Sequence, residues 1–182
     1  MRQLIFSISL VLLMFSSSYA DTPEEIAVSY FDLLKQHQWA KAAELYDSLS
    51  LAEFKEMMSF LLEIPDENAS QVLGSILGPG STKASFKSMS DIAFFSIFLE
   101  KVMEQASKVG ELQFDKVNVL GSIMEGDSVQ HVLVRTNVSI GDVTLESMEV
   151  ISFKKTGGDW KILMQGKIKG MAQQLRKAFE NR

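Results

Sequence analysis

The sequence predicts an α+β fold in which a helical half is followed by an antiparallel sheet and a short terminal helix. Two observations carry this. Up to Gly110 the apolar residues recur at helical spacing, and beyond it most of them alternate as in strands. The helices and strands come in two blocks without βαβ alternation, the order expected of an α+β domain. The charge balance changes at the same point. Residues 21–110 carry 14 acids and 7 bases, and residues 111–182 carry 9 acids and 10 bases.

The first twenty residues read as an export signal that is removed before folding. Arg2 is a short positive region, Leu4 to Phe15 are apolar but for Ser7 and Ser9, and Ser18 and Ala20 are small residues before a cleavage point. The apolar run is shorter than the roughly twenty residues a spanning helix needs. The mature chain is expected to begin at Asp21, to be periplasmic or secreted, and to form one domain: a helical half 21–110, a sheet half 111–169 and a terminal helix 170–182.

Thr22-Pro23-Glu24-Glu25 is a capping box with proline at the first helical position and carboxylates near the positive end of the helix dipole. Ile26, Tyr30, Leu33, Leu34 and His37 then share one stripe. Gln36-His37-Gln38 marks a joint, and Trp39, Ala42, Ala43 and Tyr46 continue on a second helix. Ser50-Leu51-Ala52-Glu53 looks like a further capping box, opening a helix that Pro65 ends. Leu77-Gly78-Pro79-Gly80-Ser81 is a turn. From Asp91 to about Lys108 a helix is apolar almost all round, so it is buried or lines a cavity.

Four strands follow, at about 112–124, 128–140, 143–155 and 159–168. Their turns are Glu125-Gly126-Asp127, Gly141-Asp142 and Gly157-Gly158-Asp159. Both faces of these strands hold many apolar residues. One face is therefore expected to cover the helices, and the other a pocket or a second subunit. On the terminal helix Ile168, Met171, Ala172, Leu175 and Phe179 lie on one side, and Lys167, Lys169, Arg176 and Lys177 on the other.

Composition removes several function classes. The 182 residues are 46% hydrophobic and contain no cysteine, which excludes disulfide scaffolds, thiolate zinc sites, iron–sulfur clusters and thiol nucleophiles. Two histidines, His37 and His131, are a poor basis for a metal site, so neither metal nor cofactor is expected. A net charge of −5 argues against nucleic acid as a partner. No serine sits in a Gly-x-Ser-x-Gly setting, and Gly78-Pro79-Gly80 lacks the spacing and the lysine of a phosphate loop. The basic side of the terminal helix is expected to be solvated, with contact to anionic lipid the lesser alternative.

The capped N-terminal helix pair, the buried helix and a terminal meander closing on Gly-Gly-Asp-Trp-Lys-Ile resemble the nuclear-transport-factor-2-like (cystatin-like) superfamily, which includes ketosteroid isomerase and the SnoaL-like polyketide cyclases. The likeness covers 22–49 and 111–165, and residues 50–110 stand as inserted helices. It implies a curved sheet wrapped around a long helix, a cone with an apolar pocket. The resemblance places Tyr30 at the family's pocket tyrosine and Glu149 near its second hydrogen-bond donor, a carboxylic acid held neutral. Glu149 shares a strand face with Val143, Leu145, Ile151 and Phe153, where burial would favour the protonated form. No carboxylate matches the family's catalytic base.

The candidate donors are thus Tyr30 and Glu149. The candidate pocket walls are Phe94, Phe95 and Phe98 on the buried helix, with Leu145 and Ile151 on the facing strand. The expected function is an exported, non-catalytic binding module that holds a small apolar ligand or pairs through its sheet face with a partner, a second copy included. The alternative is a cofactor-free isomerase or cyclase acting on a carbonyl compound.

Overall fold

A computed structural model describes residues 21–180 apart from 109, 111 and 142. The expected export signal lies outside the described residues. The elements run α1 (Pro23–Lys35), α2 (Trp39–Glu44), α3 (Ser48–Met57), a 3₁₀ turn (Ser59–Leu62), α4 (Asp66–Leu77), α5 (Lys83–Ser88), α6 (Asp91–Ser107), β1 (Leu112–Glu125), β2 (Val129–Ile140), β3 (Val143–Thr156), β4 (Asp159–Ile162) and α7 (Gly166–Glu180). The fold is α+β, with one antiparallel sheet in the order β1-β2-β3-β4 that curls over the helices without closing.

The capping box at Thr22 forms as its sequence demands. The Thr22 side chain accepts from the Glu25 N–H at 3.2 Å, and Glu25 accepts from the Thr22 N–H at 2.8 Å. These two bonds satisfy donors that a helix start leaves open, and the bond from the Thr22 N–H, with one from the Thr22 hydroxyl at 3.0 Å, holds the Glu25 carboxyl below its ordinary pKa. The other end of α1 is a Schellman motif. The N–H of His37 bonds the carbonyl of Leu34, and that of Gln38 bonds Leu33. His37 occupies the left-handed position, φ 56°, where glycine is usual. Its ring meets Trp39 edge-on at 5.1 Å. His37 is thus exposed at the joint instead of continuing the buried stripe, which consists of Ile26, Ala27, Tyr30, Phe31 and Leu34.

Four boundaries differ from the sequence expectation, at the two ends of α3, the end of β4 and the start of α7. The Ser50 capping box does not form. Asp47 is the cap of α3, accepting from the Ser50 N–H at 3.0 Å, and Ser50 is buried inside the helix. That helix ends at Met57, well before Pro65. The fourth strand stops at Ile162 rather than running to 168, and α7 begins at Gly166 rather than 170. Lys167-Ile168-Lys169 alternates like a strand, but Ile168, Met171, Ala172 and Leu175 pack on the core at helical period, and that burial wins.

The core is aromatic. Phe54 meets Phe95 at 5.3 Å and Phe98 at 4.8 Å, and Phe94 meets Phe86 at 5.2 Å, all edge-on. These rings hold α6 against α3 and α5. α1 covers the inner face of β1 and β2, where Val132 and Val134 are fully buried with Ile151 and Phe153 of β3. Gly126 and Gly157 adopt φ of 63°, and Gly141 φ of 56°, at the three hairpin tips, a left-handed turn geometry that glycine takes without strain.

The sheet outgrows its helices. Fourteen residues make β1 and β3 roughly 45 Å long at about 3.3 Å per residue. The thirteen-residue α1 spans only about 20 Å. Beyond the helices the β2–β3 hairpin projects, with Val143 and Leu145 exposed on the same strand face that buries Ile151 and Phe153.

A substitution at the α1 joint tests the cap assignment. Glycine removes the left-handed strain of residue 37, so His37→Gly is expected to raise unfolding stability by about 1 kcal/mol, read as a higher urea midpoint at unchanged slope. A lower midpoint would show that the ring contact with Trp39 outweighs the backbone strain.

Candidate functional site

Tyr30 sits on the buried side of α1, and Tyr46 lies just past α2, where the chain runs beside β4. The N–H of Ile162 bonds the carbonyl of Leu45 at 2.9 Å, and the N–H of Asp47 bonds that of Ile162 at 2.9 Å. These bonds fix Tyr46 in a parallel bridge to Ile162. Its ring packs edge-on to Phe95 at 4.7 Å and to Tyr30 at 5.7 Å. The Tyr46 hydroxyl donates to the Tyr30 hydroxyl at 3.1 Å. Burial pushes the Tyr30 hydroxyl up to about 12; the bond from Tyr46 opposes this, and the charge of Glu149 adds to it. Tyr46 is raised well above the ordinary tyrosine value, first by burial and then by Tyr30 and Glu149.

Glu149 stands opposite Val134 on the inner face of the sheet, at the border where the apolar rows give way to polar ones. Its Oε1 accepts from Ser147 at 3.3 Å and lies 3.2 Å from the Lys167 ammonium at the start of α7. Ser147 in turn bonds Thr136 at 3.0 Å. One oxygen of the Glu149 carboxyl thus faces both an ammonium and a hydroxyl. The structure brings Tyr30 and Glu149 within electrostatic reach of each other, with Tyr46 as a third member that helical spacing had assigned only to packing.

The five expected pocket residues are not brought together as walls. Phe94, Phe95 and Ile151 have no exposed surface, so no void of water size touches them, and Phe98 is buried with only 4% exposed. They are core. Leu145 is 52% exposed on the projecting hairpin, away from them. The physical reason is that α1 covers the inner face of β1 and β2, while the rings of α6 pack against those of α3 and α5.

Two arrangements on the surface stand out, the first on the second apolar sheet face that the strand pattern led one to expect, the second without any local signal in the sequence. On the outer face of the sheet the apolar side chains Ile123 (74% exposed), Met148 (63%), Val150 (56%) and Leu133 (37%) lie uncovered by any described residue. Leu133 and Val150 are direct cross-strand partners, as are Arg135 and Met148. Charged groups flank this band. Arg135 Nε is 3.5 Å from Glu146, and His131 bridges Ser152 (2.8 Å) and Glu125 (2.7 Å). The second arrangement is a groove of about 770 Å³ between the 3₁₀ turn, α4 and the end of α7. Only the tertiary fold brings Phe60 and Phe179 together there. Lys169 of α7 pairs with Glu53 at 3.2 Å and Lys167 with Glu149, so part of the basic side of that helix is engaged with the protein itself. Among the described residues no cluster of three or more His, Asp or Glu could hold a metal, and no helix is long and apolar enough to cross a membrane.

No protein-family model matches the chain, and no curated protein matches it. Among solved structures, a SEC-C motif containing protein from Rhodopseudomonas palustris is similar over 79% of this chain and 76% of its own, at 14% identity and a TM-score of 0.43. A protein of Campylobacter jejuni described as an NTF2-like transpeptidase is similar over 80% of this chain and 100% of its own, at 10% identity and a TM-score of 0.42. At these values neither likeness bears on activity.

The buried tyrosine pair gives an alkaline prediction. From Asp21 onward the chain has only these two tyrosines, since the third is Tyr19. The folded state keeps both protonated where the unfolded chain ionises near pH 10, so stability falls as pH rises from about 10 towards 12, by about 3 kcal/mol for Tyr30 alone. Tyrosinate absorbance of the native chain beginning at Asp21 should be absent at pH 10–11, while the urea-unfolded chain titrates near pH 10. Native titration near 10 for either tyrosine would contradict the sealed pair.

Proposed function

We propose that the protein is an exported, non-catalytic binding module that works through the outer face of its sheet, and that the occupant of that face is a second copy of the chain. The observation that carries this reading is the uncovered band of Ile123, Leu133, Met148 and Val150. Exposed apolar patches rimmed by polar residues mark interaction surfaces. The rim suits self-association, because it carries both signs of charge, Arg135 with Glu146 and His131 with Glu125. A two-fold axis through such a face can set apolar against apolar and place opposite charges together. The export signal supports action outside the cytoplasm.

Sedimentation of the chain beginning at Asp21 tests the surface. The wild type is expected to form dimers, and Val150→Lys and Met148→Lys to sediment as monomers with unchanged circular dichroism, since both side chains are exposed. A wild type that stays monomeric at its highest soluble concentration would overturn the self-association. Protein recovered from its own host is expected to start at Asp21, and a start at Met1 would overturn the export reading.

One observation favours a second reading, carbonyl chemistry without a cofactor: the Tyr30 and Tyr46 hydroxyls lie beside the charge of Glu149. In that reading the chain accelerates exchange of protons next to a ketone carbonyl, followed by NMR in deuterated water, and Tyr30→Phe abolishes the acceleration. Exchange no faster than in buffer alone removes it.

A further inference from the structure

We propose that Asn68, in the first turn of α4, is the acceptor of an N-linked oligosaccharide, and that Asp66, two residues before it, is part of the motif the transferase reads. The chain holds two Asn-x-Ser triplets, Asn68-Ala69-Ser70 and Asn137-Val138-Ser139. In such a triplet the asparagine amide is the nucleophile and the hydroxyl two residues on helps to bind it. The motif therefore marks an acceptor in an exported chain where both side chains are accessible. Transferases of bacterial type also require a carboxylate two residues before the asparagine. Only the first triplet meets that requirement, with Asp66, whereas Arg135 occupies the same place in the second.

The structure separates the two triplets as well. Asp66, Asn68 and Ser70 are exposed, and neither the Asn68 nor the Ser70 side chain enters a hydrogen bond with another described residue. Asp66 pairs with Lys83 at 2.6 Å, but its side chain is 92% exposed, and a pair in such surroundings is weak enough to open. Asn137 lies on β2, between two neighbouring strands, opposite Glu146 of β3, and its Oδ1 is enclosed. The hydroxyl of Ser139 is bonded to that of Thr144 at 2.9 Å. The backbone differs in the same sense. The first turns of α1, α3, α5 and α6 are each closed by a side-chain cap, from Thr22, Asp47, Thr82 and Ser90. α4 follows Pro65 and has no such cap, so its first turn, which carries Asp66 and Asn68, opens at less cost than theirs. A transferase needs that opening, because the acceptor segment must leave the helix to present its amide. The step joins the Asn68 Nδ2 to C1 of an oligosaccharide carried on a lipid pyrophosphate. The N–C bond forms, the C1–O bond breaks, the lipid pyrophosphate leaves with the electron pair, and one amide proton passes to a base of the transferase. Donor and transferase act outside the cytoplasm, so the inference rests on the export part of the proposed function and not on the sheet-face reading.

Peptide mass mapping of the protein recovered from its own host tests this. A chain starting at Asp21 is expected, heavier than its sequence by an oligosaccharide that maps to the peptide containing Asn68. Asn68→Gln, Ser70→Ala and Asp66→Ala should each abolish the added mass, and Asn137→Gln should leave it unchanged. The three motif positions are exposed, so circular dichroism of their variants should match the wild type. A chain that starts at Asp21 and carries no glycan would overturn the proposal while leaving export intact, and a chain that starts at Met1 would overturn both. Added mass on Asn137, or added mass that persists in Asn68→Gln, would place the modification elsewhere. Full modification of Asp66→Ala would remove Asp66 from the motif; each of these results overturns the proposal.

Discussion

A chain without a single cysteine has to be held by its apolar core, and here that core is built on the rings of α6. Phe94, Phe95 and Phe98 lock against Phe54 and Phe86 and carry α3 and α5 with them. Phe95 also receives the ring of Tyr46, which places residues 45–47 alongside β4. The backbone bonds made there join the helical half to the sheet edge, and the bridge gives the short β4 a second neighbour. Loss of the Phe95 ring would cost on the order of 3–5 kcal/mol directly, a large part of the stability of an ordinary domain.

The same packing explains why Phe94, Phe95 and Phe98 are core side chains. The polar groups left at the border, Glu149, Ser147 and Thr136, satisfy one another and Lys167, so the apolar interior ends in a hydrogen-bonded seam instead of an open wall. What apolar surface remains uncovered therefore lies outside this interior, on the outer sheet face, along the projecting β2–β3 hairpin and in the groove beside α7.

Much of this was legible in local sequence, and the exceptions share a cause. The Thr22 box, the turn glycines and the strand alternation each depend on residues a few positions apart, and each formed where the spacing placed it. Ser50 failed as a cap because Asp47, three residues earlier, offers a carboxylate to the same turn. Lys167-Ile168-Lys169 satisfied a strand pattern and a helix pattern equally, and packing of Met171 and Ala172 decided between them. The bond between Tyr30 and Tyr46 had no local signal, since the two are joined through α2 and a bridge to residue 162.

By itself the sequence determined the class of fold, the order of helices and strands, the alternation of each strand and the residue types able to do chemistry, because these follow from short-range periodicity, capping and composition. Tertiary structure alone decided which apolar residues are core and which are surface. Burial depends on how far one element extends past another, and a strand of fourteen residues over a helix of thirteen leaves its excess uncovered whatever the local pattern says. It alone decided also that Phe60 meets Phe179, because that contact joins two segments more than a hundred residues apart.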